Sequence, residues 1–360
     1  MPTAPECRGV TSTAVSMSFR GLSALSLRRN QIASMEPSTD EELHLLHLLD
    51  SRLASSLQSL FCAPTLSISF LIKLLDTFLS CESDFKSLLL LLLCRNPTLI
   101  CRPPLDRAAS DLLDRYIRAL DLCNAVSHCL SSLRQWNRYA DIAVSALRPS
   151  PPQLSRANRA LSKLLHQSHE KRISRTWSAS RQLQAMSAGI SAPRGGDSGS
   201  AALLAAAMHA FSSLLFFSMW AITTAFPCGG GAVSPPSPCS GPRQMAWSVA
   251  MADLHEKIQE ERKKERRWEK VGLLAETLAV ERTGRDTIGA TCGNKETVRL
   301  AEELAAASRL LEEGLNPLEK KVREVFHRVM RSREEVQRCV DEGNRSATSA
   351  IASPCKENHH

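Results

Sequence analysis

Four short patterns in the chain combine residue types that do chemistry elsewhere, and each lacks a necessary part. Gly196-Asp197-Ser198-Gly199 has the nucleophile spacing of trypsin-like proteases. Ser200 replaces the glycine that should follow, and the surrounding Ser/Gly-rich connector offers no β-barrel to build an oxyanion hole. Gly289 to Thr297 is glycine-bearing and ends near a lysine. Asn294 separates Gly293 from Lys295, so the Gly-Lys-Ser/Thr order that cradles phosphate is broken. His255-Glu256 has no second histidine at the zincin spacing, and His44 and His47 lie one turn apart with no Cys or acid completing a ligand set. Partly exposed helix histidines account for that pair. No catalytic residue, metal site or cofactor is expected, and the chain reads as non-enzymatic.

Charge and thiols narrow the class further. The twelve cysteines contain no Cys-x-x-Cys pair, and Cys62, Cys81 and Cys123 sit among helical apolar residues. Reduced thiols in the cytosol are the expectation, with the chain placed in the cytosol and at a membrane, as a single-pass protein if the apolar segment spans, and not secreted. The formal charge is +8. Much of the excess lies between Arg156 and Arg194, where Arg156, Arg159, Lys163, Lys171, Arg172, Arg175, Arg181 and Arg194 face only Glu170. Arg172, Arg175, Arg181 and Arg194 are the candidate contacts to an anionic membrane lipid, against the plainer reading of a solvated linker. Nucleic acid is not an expected partner, because no finger, homeodomain or RNA-recognition signature accompanies the charge.

The elements that must carry these residues are helical. Leucine and alanine dominate and aromatics are 5%, which favours helix over strand. Residues 1–37 read as a disordered tail, basic and Ser/Thr-rich with Glu6 as its early acid. Residues 38–169 read as a helical bundle. It opens at the capping signature Ser38 to Glu42, is broken at Pro64, Pro97 and Pro103-Pro104, and contains the run Leu88 to Leu93. Residues 170–200 form a basic linker, 201–226 an apolar helix, 227–244 a Pro/Gly linker, 245–342 a helical hairpin region, and 343–360 a second tail. Gly284, Gly289 and Gly293 should loosen the chain, and Gly314 should stop a helix that Asn316-Pro317-Leu318-Glu319 restarts. Val322, Phe326, Val329, Arg333, Val336 and Val340 then keep four-three steps, the five apolar ones forming the candidate partner-helix seam. Such a seam wants a partner helix, either a neighbour in the same chain or a separate protein. Self-association into a coiled-coil scaffold is a further reading.

Ala201 to Phe226 carries no charge, taking His209 as neutral. About 24 residues at helical rise span ~36 Å, enough for a bilayer core. Some ten strong apolar side chains give only about −3 to −6 kcal/mol towards insertion, and serines, threonines and His209 erode that. Leu203, Leu204, Phe211, Leu214, Leu215, Phe216, Phe217, Trp220, Ile222 and Phe226 are the candidate membrane contacts. A helix that spans, one that dips, and one buried in the bundle all remain open. The fold class is therefore all-α: an extended bundle of long helices around a central apolar helix that could be transmembrane, with disordered linkers.

Short matches spread along the chain carry a family resemblance. They include Arg28-Arg29-Asn30-Gln31-Ile32-Ala33-Ser34-Met35, Pro103-Pro104-Leu105-Asp106-Arg107, and Leu120-Asp121-Leu122-Cys123-Asn124-Ala125-Val126. Met219-Trp220-Ala221, Leu254-His255-Glu256-Lys257-Ile258 and Arg323-Glu324-Val325-Phe326-His327-Arg328 continue them. Together they resemble the plant BYPASS/ROH family, closest to the ROH branch. The resemblance implies a non-enzymatic protein linked to the exocyst subunit of the Exo-seventy type and to restraint of polarised secretion, such as mucilage or wall material. The BYPASS branch implies instead restraint of a root-derived mobile signal that arrests shoot growth. It also implies one membrane segment at Leu203 to Phe226, and it supplies no residue-level binding site.

Overall fold

The computed structural model describes residues 39–149, 151–166, 179–190, 199–226, 245–264, 272–289 and 294–351. Among them the secondary structure is helical, with no strand: α1 (Thr39–Ser59), α2 (Ile68–Arg95), α3 (Leu105–Leu147), α4 (Leu154–His166), α5 (Ala179–Ser187), α6 (Ser200–Ala225), α7 (Ala246–Lys264), α8 (Ala275–Gly289) and α9 (Asn294–Ile351). The residues expected to form the N-terminal tail and the 227–244 linker lie outside the described residues.

Helix starts are fixed by side chains close at hand and far away. Ser67 caps α2, its Oγ accepting from the Phe70 N–H at 3.1 Å. Glu276, in the first turn of α8, accepts the Ile68 N–H through both carboxylate oxygens at 3.0 and 3.1 Å. Asp50 of α1 does the same for α7, accepting from Ala246 at 3.2 Å and Trp247 at 2.9 Å. Each carboxylate satisfies orphan N–H groups and meets the positive end of a helix dipole.

Two expected breaks are absent, and packing explains both. α9 runs unbroken through Gly314 and Pro317. A Cβ at Gly314 would stand 2.5 Å from Ile68 Cδ1 of α2, so the glycine there serves close helix approach. Pro317 and Glu313 are exposed, so water can take the Glu313 carbonyl that the proline leaves unbonded. Asn316 and Glu319, expected as a new cap, instead accept from Arg134 of α3 at 2.9 and 2.7 Å. Gly284 likewise lies inside α8, where a Cβ would meet Leu164 Cδ2 at 2.8 Å.

The domain boundaries also shift. α5 forms within the expected 170–200 linker because Ala179, Leu183 and Met186 are buried and Arg115 binds the Met186 and Ala188 carbonyls at 3.0 and 2.8 Å. α9 continues into the expected C-terminal tail, to Ile351. The region 245–342 is no separate hairpin: α7 packs on α1, α8 on α9 and α4, and α9 most extensively on α3 and also on α2. Among the described residues the main apolar core runs from Leu49 to Cys339, with a small second cluster of Ala146, Leu147, Ala157 and Ala301.

α9 lies parallel to α2 and antiparallel to α3. Ile68 against Gly314, Lys321–Asp76 at 2.8 Å, Arg328–Glu82 at 2.7 Å and the Lys86–Glu335 pair advance together along both helices, about 246 positions apart. Against α3 the order reverses: Arg134 meets Asn316 and Glu319, while Asn137 and Asp141 meet Ser308.

Candidate functional site

α6 is the apolar helix that the sequence singled out, and by length and composition it could cross a membrane. In this fold 78% of its apolar window is buried. All ten candidate membrane contacts (Leu203, Leu204, Phe211, Leu214, Leu215, Phe216, Phe217, Trp220, Ile222 and Phe226) are at most 3% exposed. In this fold they therefore face protein. Phe211 stacks on Phe85 at 4.7 Å and Phe78 at 5.7 Å from α2, with Tyr116 of α3 at 6.0 Å. Trp247 of α7 meets His209 at 5.7 Å, and His255 of α7 meets Trp220 at 4.9 Å. The far end of α6 is closed by backbone. Leu273 and Leu274 donate to the Thr224 and Ala225 carbonyls at 3.3 and 3.1 Å, satisfying acceptors that a helix end leaves open. Gly272 makes this approach at φ +81°, where a Cβ would lie 2.3 Å from the Ala225 oxygen.

Titratable groups around α6 are set by burial. The His209 imidazole is pushed down to about 4, by desolvation first and by Arg115 second. Burial and then Arg262 lower His255. The thiols of Cys81 and Cys123 are pushed up to about 12 by burial, so neither is a thiolate at neutral pH. Between α1 and α2 a cavity of ≈ 20 Å³ is lined by Leu49, Arg52, Leu53, Ser56, Thr77, Ser80, Cys81 and Asp84. It has room for about one water. Burial lifts Asp84 there to about 6 despite Arg52 at 3.2 Å. Among the described residues no three His, Cys, Asp or Glu side chains are grouped to hold a metal ion; His44 and His47 are exposed.

The seam is occupied by the chain's own helices. Val322, Val329 and Val336 are at most 2% exposed, and Phe326 and Val340 are half-buried against the same core. The Val340 carbonyl accepts from Cys101 Sγ at 3.5 Å. The partner is thus the N-terminal half, through α2, α3 and the short turn Pro97–Cys101, rather than a neighbouring C-terminal helix. Outward, α9 presents Leu310, Glu313, Pro317, Lys320, Glu324, His327, Arg331 and Glu334 at three- and four-residue steps, all exposed. Leu310 is 63% exposed, the most of the large hydrophobic residues among those described. Of the four candidate anionic contacts, Arg181 is exposed on α5, while Arg172, Arg175 and Arg194 lie outside the described residues.

Buried polar links were missed at the sequence level. Glu82, 1% exposed, accepts from Arg328 at 2.7 Å and from Ser332. Asn137, 2% exposed, donates to the Ser308 carbonyl at 3.1 Å. The available signal was Ser308 and Ser332 falling on the buried stripe of α9 among leucines and valines.

A family model described as Protein ROH1-like matches residues 12–172 and 165–340. Protein ROH1A of Arabidopsis thaliana is 30% identical over 414 residues, covering 92% of this chain and 97% of its own. Protein ROH1D of Arabidopsis thaliana is 30% identical over 382 residues, covering 88% and 94%. No solved structure matches.

Proposed function

The chain belongs to the ROH1-like family, and from that premise we propose that it is a non-enzymatic adaptor that restrains exocyst-dependent secretion. Its partner on this reading is the exocyst subunit of the Exo-seventy type, as the family resemblance implies. The observation that carries the reading is the division of labour in α9. One face is spent on the chain's own core, and the other offers a long, regularly spaced stripe with the exposed Leu310 in a field of charge. An apolar anchor ringed by charged side chains suits a reversible protein contact. The partner therefore docks on the outer stripe and not on the seam at Val322, Val329 and Val336.

The test is capture of the full chain by the purified exocyst subunit. Leu310→Asp with His327→Asp should lower capture at least tenfold while far-ultraviolet circular dichroism stays unchanged. Full capture by that variant sinks the α9 docking face, and no capture by the unmodified chain sinks the exocyst partnership.

A further inference from the structure

We propose that the outer flank of the α3–α4 pair is a docking face for an anionic bilayer surface. The flank is defined by helix phase. Arg156, Arg159 and Lys163 step by three and four, so they form one stripe along α4, all exposed. Lys163 Nζ sits 5.7 Å above the Tyr139 ring of α3, which fixes the side of α4 that borders α3. There α3 contributes the exposed Arg138 and Ile142, the latter 38% exposed, one turn apart beside the half-buried Tyr139. Among the described residues, Arg138, Arg156 and Arg159 form no ion pair, and Lys163 has only its ring contact.

The acids of α3 and α8 next to this flank are engaged or placed elsewhere. No Asp or Glu occurs from Ile142 to His169. Asp141 points to α9, where Ser308 Oγ donates to it at 2.9 Å. Asp286 belongs to α8, which packs on α4 through Gly284 against Leu164 and Leu161, the stripe's buried side. Four cations with an aromatic and an aliphatic side chain between them match a headgroup layer, where charge meets phosphate and the apolar groups reach past it. The site differs from the basic run read from sequence. Arg181 lies near Arg118, since Arg118 bonds Gln182 at 3.0 Å, about 30 Å along α3 from Tyr139 by helical rise.

The proposal stands apart from the exocyst reading, because vesicle binding is measured without that subunit. The full chain is sedimented with vesicles of phosphatidylcholine alone and with vesicles in which about a third of the lipid is phosphatidylserine. It should partition to the anionic vesicles, and rising salt should weaken that binding. Arg156→Gln, Arg159→Gln and Lys163→Gln together should lower partitioning about a hundredfold, roughly fivefold per charge. Arg156→Lys with Arg159→Lys should stay within about twofold, since a bilayer reads charge rather than a guanidinium fork. If the triple variant loses its helical signal, Arg159→Gln alone should still show the fivefold fall. Undiminished binding by the Gln variants overturns the proposal. So does equal binding to neutral vesicles, as insertion of α6 would give, or a loss produced by Arg172→Gln with Arg175→Gln instead. Binding of a single-stranded RNA in place of the anionic vesicles overturns it as well.

Discussion

Arg328 of α9 reaches Glu82 of α2 at 2.7 Å, and Glu82 is 1% exposed while the arginine side chain is 33% exposed. The pair ties the two parallel helices at mid-length. Removing the arginine leaves a carboxylate buried without its cation, which costs far more than the pair contributes. Arg328→Met should therefore destabilise by about 2–3 kcal/mol, less than a fully buried pair because Arg328 keeps some water. Adding Glu82→Gln should recover much of that. Urea unfolding of the two single variants and the double variant gives the coupling directly. Additive losses would mean that the pair acts as two independent groups.

Gly272 tests the closure of α6. Its φ of +81° and the Ala225 oxygen 2.3 Å from a built Cβ leave no room for a side chain, and the obstructing atom is backbone. Gly272→Ala should cost about 1–3 kcal/mol and speed hydrogen exchange at Leu273 and Leu274. Unchanged protection at those two amides would contradict the observed hydrogen bonds.

His209 sets a pH response. Its folded-state value, about 4, lies below the ordinary 6.5. The unfolded chain thus binds more protons in this window, and stability falls as pH drops from about 6.5 through 4. Asp84, lifted to about 6, acts in the opposite sense. The comparison with His209→Gln isolates the imidazole. The melting temperature of the unmodified chain should fall more than that of the variant between pH 7 and pH 4.5. Parallel curves would place His209 in solvent.

Phe211 joins three helices through Phe78, Phe85 and Tyr116. Phe211→Ala should cost about 3–5 kcal/mol in urea unfolding, as for other large aromatic deletions in a core. A loss below about 1 kcal/mol would show α6 outside the bundle.

Much of the helical content is local and was legible. The four-three steps of α9, the Pro64 break and the apolar α6 follow from periodicity over a few turns. The partner of a face does not. Val322, Val329 and Val336 have the same spacing whether they meet a neighbouring C-terminal helix, another protein, or α2 and α3, which lie about 246 and about 180 positions away. Gly314 and Pro317 read as a stop and a start because propensity is local, whereas the packing of Ile68 overrides it. The basic run from Arg156 to Arg194 looked like one feature. Helix phase divides it, placing Arg156, Arg159 and Lys163 on α4 and Arg181 on another helix. A charge count cannot see phase.

The parallel pairing of α2 with α9 also orders events during synthesis. The faces of α2 and α3 that α9 covers wait until Val340 has left the ribosome, and α6 emerges before α7, α8 and α9 exist to enclose it. At roughly 5–20 residues per second, translation from Ala225 to Val340 lasts on the order of ten seconds. Throughout that interval a 26-residue apolar helix is available to whatever binds nascent chains. Whether it meets its own C-terminal helices or a translocation channel first is a contest of rates, decided before the fold exists.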